Sequence, residues 1–333
     1  MSAPHRITLI AEIGSVHDGS YGNACKLIEA AAAAGADAVK FQTHIAEAES
    51  LPNAPSPGYF SAEPRMAYFR RTGFDAEQWR GLKAECERSG VTFLSSPFSH
   101  EAVELLEAVG VGSYKIASGE VSNLPLLERI AETGKPVLLS SGMSDWAELD
   151  RAVEALRPGG PLTVMQCTSA YPCPPERAGL NLLAEMRARY ELPVGFSDHS
   201  DGLTAAIAAA TLGATVIEKH FTFSRLMYGS DAANACEPAA FAELAKALRE
   251  VAAMQSHPVD KDDLAPYRDM KRIFEKSVVT ARPLAAGQAL TRDDIAFKKP
   301  GDGIPAADYR ALLGRNLARD LPADQQLKTD DLA

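Results

Sequence analysis

Long apolar runs are missing from this sequence. No stretch approaches the ~20 apolar residues that a membrane-spanning helix needs, so none is expected. The first thirteen residues are too short and too mixed for a secretion signal, and Glu12 interrupts their apolar run. Cysteine is sparse: Cys25, Cys86, Cys167, Cys173 and Cys236. The count is odd and no pair has the C-x-x-C spacing of the common zinc and redox motifs. Reduced thiols in a cytoplasmic protein are the expectation. A basic excess is lacking too. Lys and Arg number 34 against 44 Asp and Glu, a formal net charge of -10. A general attraction to nucleic acid or to an anionic membrane is thereby excluded. An anionic substrate would need positive charge concentrated in one site.

What is present is a repeating pattern. Eight short apolar runs occupy residues 7–13, 38–42, 91–95, 113–117, 136–140, 162–167, 193–197 and 215–219. Each is rich in Val, Ile, Leu or Phe, as buried parallel strands are. Between them lie segments of helical spacing, among them 24–34, 75–89, 101–109, 124–133, 145–156 and 202–212. Gly35, Gly90, Gly110, Gly134 and Gly213 follow such segments, where a helix C-cap is expected. Eight β-then-α units predict an α/β fold, a (β/α)8 barrel over residues 1–255. An open doubly wound sheet is the alternative. The polar stretch 256–275 reads as a linker. Residues 276–333 change pattern to short strands and tight turns, a small β-rich domain near the lower limit of independent stability.

A barrel gathers its chemistry at the C-terminal ends of its strands. Those ends carry Glu12, Lys40, Gln42, Ser95, Ser96, Lys115, Ser118, Glu120, Ser140, Ser141, Gln166, Thr168, Asp198, His199 and His220. Buried polar groups cost free energy unless paired, so a purely structural barrel would not need them. Lys40 and Lys115 each interrupt an apolar strand. A lysine paired with a strand-end glutamate would be unremarkable in function. Two of them beside serines point to an anionic ligand, because ammonium and hydroxyl groups donate to phosphate oxygens. A Schiff-base role for Lys115 is also open. His199 and His220 end neighbouring strands, about 4.8 Å apart, and could share a metal ion. Asp198 or Asp231 could complete its shell. His17 in the first βα loop is a turn histidine or a substrate contact. His5, His44, His100 and His257 fit no pattern and read as surface residues.

These residues resemble the N-acetylneuraminate (sialic acid) synthases and their relatives for legionaminic and pseudaminic acids. The resemblance spans nearly the whole chain. Its motifs are Ala11-Glu12-Ile13-Gly14, Gly35-Ala36-Asp37-Ala38-Val39-Lys40-Phe41-Gln42-Thr43 and Tyr114-Lys115-Ile116-Ala117-Ser118-Gly119-Glu120. It continues in Gly134-Lys135-Pro136, Ser140-Ser141-Gly142-Met143, Tyr171-Pro172, Ser197-Asp198-His199 and Glu218-Lys219-His220-Phe221. Lys299-Pro300-Gly301-Asp302-Gly303 looks like the substrate-facing loop of the antifreeze-like (SAF) domain.

The resemblance implies an enzyme, a transferase that condenses phosphoenolpyruvate with an open-chain N-acyl amino sugar. His199 and His220 would ligate a divalent cation, usually Mn2+, with Mg2+ or Co2+ as alternatives. Lys40, Ser96, Lys115, Ser118, Ser140 and Ser197 match phosphoenolpyruvate-binding positions. Glu12, Gln42, Glu120, Tyr171 and Asp231 match positions near the acceptor or the reacting carbons. The resemblance also implies a domain-swapped homodimer, in which Lys299 of the cap reaches the acceptor sugar in trans. The chain departs from the family's usual residues at Val16-His17, at Gln166-Cys167-Thr168-Ser169, along 224–231 and at Lys299. All lie where an acceptor would be recognised. Three competing functions remain: a Schiff-base aldolase acting through Lys115, a synthase for a phosphorylated sugar acid, which would want an arginine cluster that the sequence does not show, and a carbohydrate-binding protein that keeps the fold without the reaction.

Overall fold

The computed structural model describes residues 6–55, 63–229 and 231–333; His5 and Ser230 lie outside them. The chain divides into two compact units, Met1–His257 and Pro258–Ala333.

The first unit is a closed eight-stranded barrel with strands in sequence order. The strands are β1 (Thr8–Gly14), β2 (Ala38–Thr43), β3 (Thr92–Pro97), β4 (Tyr114–Ile116), β5 (Val137–Ser140), β6 (Leu162–Cys167), β7 (Val194–Asp198) and β8 (Val216–His220). All eight pairings are parallel, and β1 closes the ring against β8. The eight apolar runs read in the sequence each match one strand, and closure rules out the open sheet.

Strand residues alternate between the two faces of the sheet. One set, with Leu9, Val39, Phe41, Ile116, Leu139, Val164 and Ile217, packs outward on helix residues such as Leu27, Leu106, Ile130 and Leu244. The other set opens with a separate interior cluster of Ile10, Ala38 and Leu94, against which Leu138 and Val216 pack. Two residues further along each strand, the same parity delivers polar side chains to the mouth.

Helix starts follow local chemistry. Asp75 caps the helix Ala76–Arg88 and Asp145 caps Trp146–Leu156, each in a capping box, with Gln78 and Glu148 respectively. The helix His100–Val109 ends at Gly110, whose φ of +78° suits a residue without Cβ. The last helix of the unit, Pro238–Ser256, ties the barrel shut: Arg249 donates to the carbonyls of Ile7 and Gly35 and to Asp37. Among the described residues no helix is long and apolar enough to cross a membrane.

The second unit holds β9 (Ser277–Thr280) paired antiparallel with β10 (Ile295–Lys298). Val278, Leu284, Leu290, Ile295, Leu317, Leu327 and other aliphatics form its core. Its fully buried acids are anchored: Asp294 by Arg282 and Thr291, Asp331 by Arg319 and the Lys328 amide. The helix Arg268–Phe274 occupies part of the stretch 256–275 read as a linker.

Candidate active site

The interior parity of the strands decides which strand-end polar groups face one another. Glu12, Lys40, Lys115 and Glu218 are each at most 4% exposed. Lys40 Nζ lies 2.9 Å from Glu12 and 3.7 Å from Glu218, while Lys115 Nζ lies 3.6 Å from Glu218. Two ammonium groups thus share one carboxylate. Serines fill the spaces between them. Lys40 reaches Ser96 Oγ at 3.4 Å, Ser197 Oγ donates to Glu218 at 3.0 Å, and the Ser118 and Ser140 hydroxyls lie 2.9 Å apart.

Burial raises both carboxyls, yet they titrate apart. Lys115 and Lys40 outweigh burial at Glu218 and hold it well below the usual carboxylate range. At Glu12 burial, with the charge of Glu218, outweighs the pull of Lys40, and its pKa is raised. Glu218 is therefore the fixed anion, and Glu12 the carboxyl that takes a proton more readily. Burial also raises Glu120, which sits in the turn after β4 and accepts from Asn123 at 2.8 Å.

The parity separates neighbours that the sequence left together. Ser96 and Ser140 face inward. Ser95 instead bonds Thr43 at 2.7 Å, and Ser141 bonds Gln166 at 3.2 Å, both within the wall. Asp198 is engaged away from the mouth: Lys219 holds it at 2.7 Å and the Ser200 amide donates to it at 2.8 Å. It does not complete a shell with the histidines, whereas the charge of Asp231 acts on His220.

His199 and His220 face each other with ring centroids 5.5 Å apart. His199 Nδ1 lies 2.9 Å from the Thr168 carbonyl, an acceptor, so Nδ1–H donates there and Nε2 is left toward Tyr171 Oη at 3.3 Å. Burial opposes charge on His199, but Cys167 and the Thr168 carbonyl outweigh it and its pKa is raised. Burial pushes His220 down to about 4, and among the described residues its Nδ1 has no hydrogen-bond partner. A lone pair on one ring, steered by a backbone carbonyl, and an orphaned buried nitrogen on the other fit a metal-ligand pair. Among the described residues no group of three His, Cys, Asp or Glu comes together to hold a metal. The remaining positions would go to water or substrate.

Gln42 Nε2 donates to Glu12 Oε1 at 2.7 Å. Gly14, at φ +54°, lies under this cluster. A Cβ there would stand 2.8 Å from Asp231 Oδ2 and 3.2 Å from Gln42 Nε2, so only glycine leaves the acids and the amide in place. The mouth encloses a cavity of about 390 Å3, lined by every barrel residue that the resemblance assigns to the site except Ser96. Ser96 reaches it through Lys40. Lys299 belongs to the second unit, where its Nζ lies 4.9 Å above the Phe274 ring.

The histidines outside the pair divide differently from the sequence reading. His17 is buried against Phe74, 4.6 Å between centroids, and its Nδ1 accepts from the Gly19 amide. It is a turn histidine. His100 and His257 are exposed. His44 is not a surface residue: its side chain is 8% exposed and it lines the cavity. Glu218 also went unassigned. The signal was its parity, two residues before His220 on one strand. Arg65, the only arginine among the described lining residues, comes from a helix inserted after β2 and left no periodic trace.

Such a fold and mouth define a (β/α)8-barrel protein in which two buried lysines share a carboxylate beside a histidine pair. The NeuB family model matches residues 27–260 and the SAF domain model matches residues 275–333. The chain belongs to the NeuB family. It is 35% identical to an uncharacterised protein of Methanocaldococcus jannaschii, over 97% of this chain and 94% of that protein. It is 32% identical to the N,N'-diacetyllegionaminic acid synthase of Campylobacter jejuni, over 96% of this chain and 98% of that enzyme. Among solved structures it resembles the N-acetylneuraminic acid synthetase of Leptospira borgpetersenii. There the TM-score is 0.72 and the identity 28%, covering 81% of this chain and 92% of the other.

Proposed function

We propose that this chain is a nonulosonic acid synthase, condensing phosphoenolpyruvate with an open-chain N-acyl amino sugar and releasing phosphate. One observation carries the reading: Lys40 and Lys115 converge on Glu218 inside a ring of inward-facing serines, just below His199 and His220. An entering phosphate or carboxylate gives the two ammonium groups an anion to share with Glu218, while Ser96, Ser118, Ser140 and Ser197 offer hydroxyl donors.

In this reaction carbon-3 of phosphoenolpyruvate bonds to the aldehyde carbon. The aldehyde oxygen becomes a hydroxyl, water adds at carbon-2, and the carbon-2 to phosphate-oxygen bond breaks. A divalent cation held by His199 and His220 would supply Lewis acidity at the aldehyde oxygen. Glu12, with its raised pKa, holds or passes a proton at the reacting carbons. Lys40 and Lys115 stabilise the departing phosphate. Gln42, Glu120, Tyr171 and Asp231 surround the acceptor. Lys299 reaches it from the cap of a partner subunit in a homodimer, a reading that rests on the family resemblance.

The test is phosphate release from phosphoenolpyruvate with a panel of 2-acylamino hexoses and Mn2+. Release that requires an acceptor supports the reading. Borohydride trapping of a carbonyl substrate at Lys115, without metal, would replace it with the aldolase. Sugar binding with no phosphate release would leave a binding protein.

A further inference from the structure

The geometry points to His44 as a positioning residue that fixes the Gln42 amide and, through it, the Glu12 carboxylate. The side chain follows β2 and lies between two aromatic rings. Phe69 stacks on one face at 3.9 Å and 15°, and Phe98 on the other at 4.1 Å and 17°. This sandwich sets the plane of the imidazole. Its rotation within that plane is set at the far edge, where Nδ1 lies 2.8 Å from Glu49 Oε2, itself on a side chain only 4% exposed. The near edge faces the site, with Nε2 3.1 Å from Gln42 Oε1.

The chain of contacts then has one consistent sense. Gln42 Nε2 donates to Glu12 Oε1 at 2.7 Å, and Glu12 Oε2 pairs with Lys40 at 2.9 Å. With the amide nitrogen committed to Glu12, the amide carbonyl must face His44. The Nε2 edge therefore faces an acceptor oxygen, and Nε2–H donates to it. Remove the donor and the amide is free to turn over, so Glu12 loses the contact that orients it. A carboxyl that exchanges a proton with reacting atoms tolerates little misplacement: a shift of about 1 Å costs up to ~100-fold in rate. In this chain His44 reaches Glu12 only through the Gln42 amide, so its part is to position.

The rate consequence rests on the reaction proposed above, whereas the hydrogen-bond chain does not. His44→Phe keeps a ring between Phe69 and Phe98 and removes the contacts to Gln42 and Glu49. Its kcat for phosphate release is expected to fall about 10- to 100-fold, with phosphoenolpyruvate affinity by calorimetry retained. In a Gln42→Ala background the same change is expected to cost nothing further, because the path runs through that amide. A wild-type kcat in His44→Phe, or an undiminished loss in the Gln42→Ala background, would overturn the proposal. Glu49→Leu supplies a second arm with the aromatic stack intact. The Gln42 side-chain amide resonance, identified by its loss in Gln42→Ala, should move in the Glu49→Leu spectrum. Should the wild-type chain release no phosphate with any acceptor, the functional reading fails and this spectrum alone decides the role of His44: an unmoved resonance refutes it.

Discussion

Glu218→Gln removes one charge and almost no volume at the centre of the network. Wild-type Glu218 neutralises Lys115 at 3.6 Å and shares Lys40 with Glu12 at 3.7 Å. In the variant two ammonium groups face a single carboxylate, with none of the four side chains more than 5% exposed. Leaving a buried charge without its partner costs about 3–5 kcal/mol. For a unit of this size that is roughly 10 °C or more in Tm. The same change leaves the pocket one unit more positive, so phosphoenolpyruvate should raise the Tm of the variant by more than it raises that of the wild type. Thermal melts with and without phosphoenolpyruvate measure both effects. A variant that melts with the wild type and gains no more from the ligand would show that Glu218 is not the counter-ion of the two lysines.

Lys115→Ala should weaken phosphoenolpyruvate binding by about 2–4 kcal/mol while sparing the acceptor sugar, a difference that calorimetry on each ligand reads; equal affinity would make Lys115 structural. His17 is held at about 4 by burial against its ordinary 6.5. Below 6.5 the unfolded chain takes a proton that the folded one refuses, so this histidine should lower stability, on the order of 3 kcal/mol in all, as pH falls from 6.5 to 4. Melts of His17→Asn across that window should show a shallower loss, and an unchanged slope would dismiss the assignment. For the cap, co-expression of His220→Ala with Lys299→Ala should restore activity in mixed dimers, since one site of each would join intact parts, about a quarter of all sites under random pairing. Mixed dimers confirmed by mass but no more active than the two variants alone would place Lys299 in cis.

The barrel was legible because its signals are local. Apolar runs of strand length, aspartates three residues before Gln78 and Glu148, and glycines such as Gly110 all act within a few residues. The lysine and histidine pairs were legible for the same reason, as polar residues within or at the ends of otherwise apolar strands. What escaped is non-local. His44 is buried by Phe69, from a helix inserted after β2, and by Phe98, from beyond β3. Nothing local separates Asp198 from Asp231; Lys219, on the neighbouring strand, does so by holding Asp198. The helix Arg268–Phe274 hid in a charge-rich stretch, and its apolar members Met270, Ile273 and Phe274 are exposed, leaving no buried stripe to read.

In the proposed reaction phosphate leaves from carbon-2 of phosphoenolpyruvate after attack by carbon-3, within the Lys40–Lys115–Glu218 ring. Phosphoenolpyruvate carrying 18O in the bridging position tests it most directly, with an accepting amino sugar and Mn2+ present and mass spectrometry on both products. The account requires the label to depart in the phosphate, because water supplies the new oxygen at carbon-2. Label retained in the sugar acid would mean that the phosphorus–oxygen bond broke instead, and would contradict the mechanism.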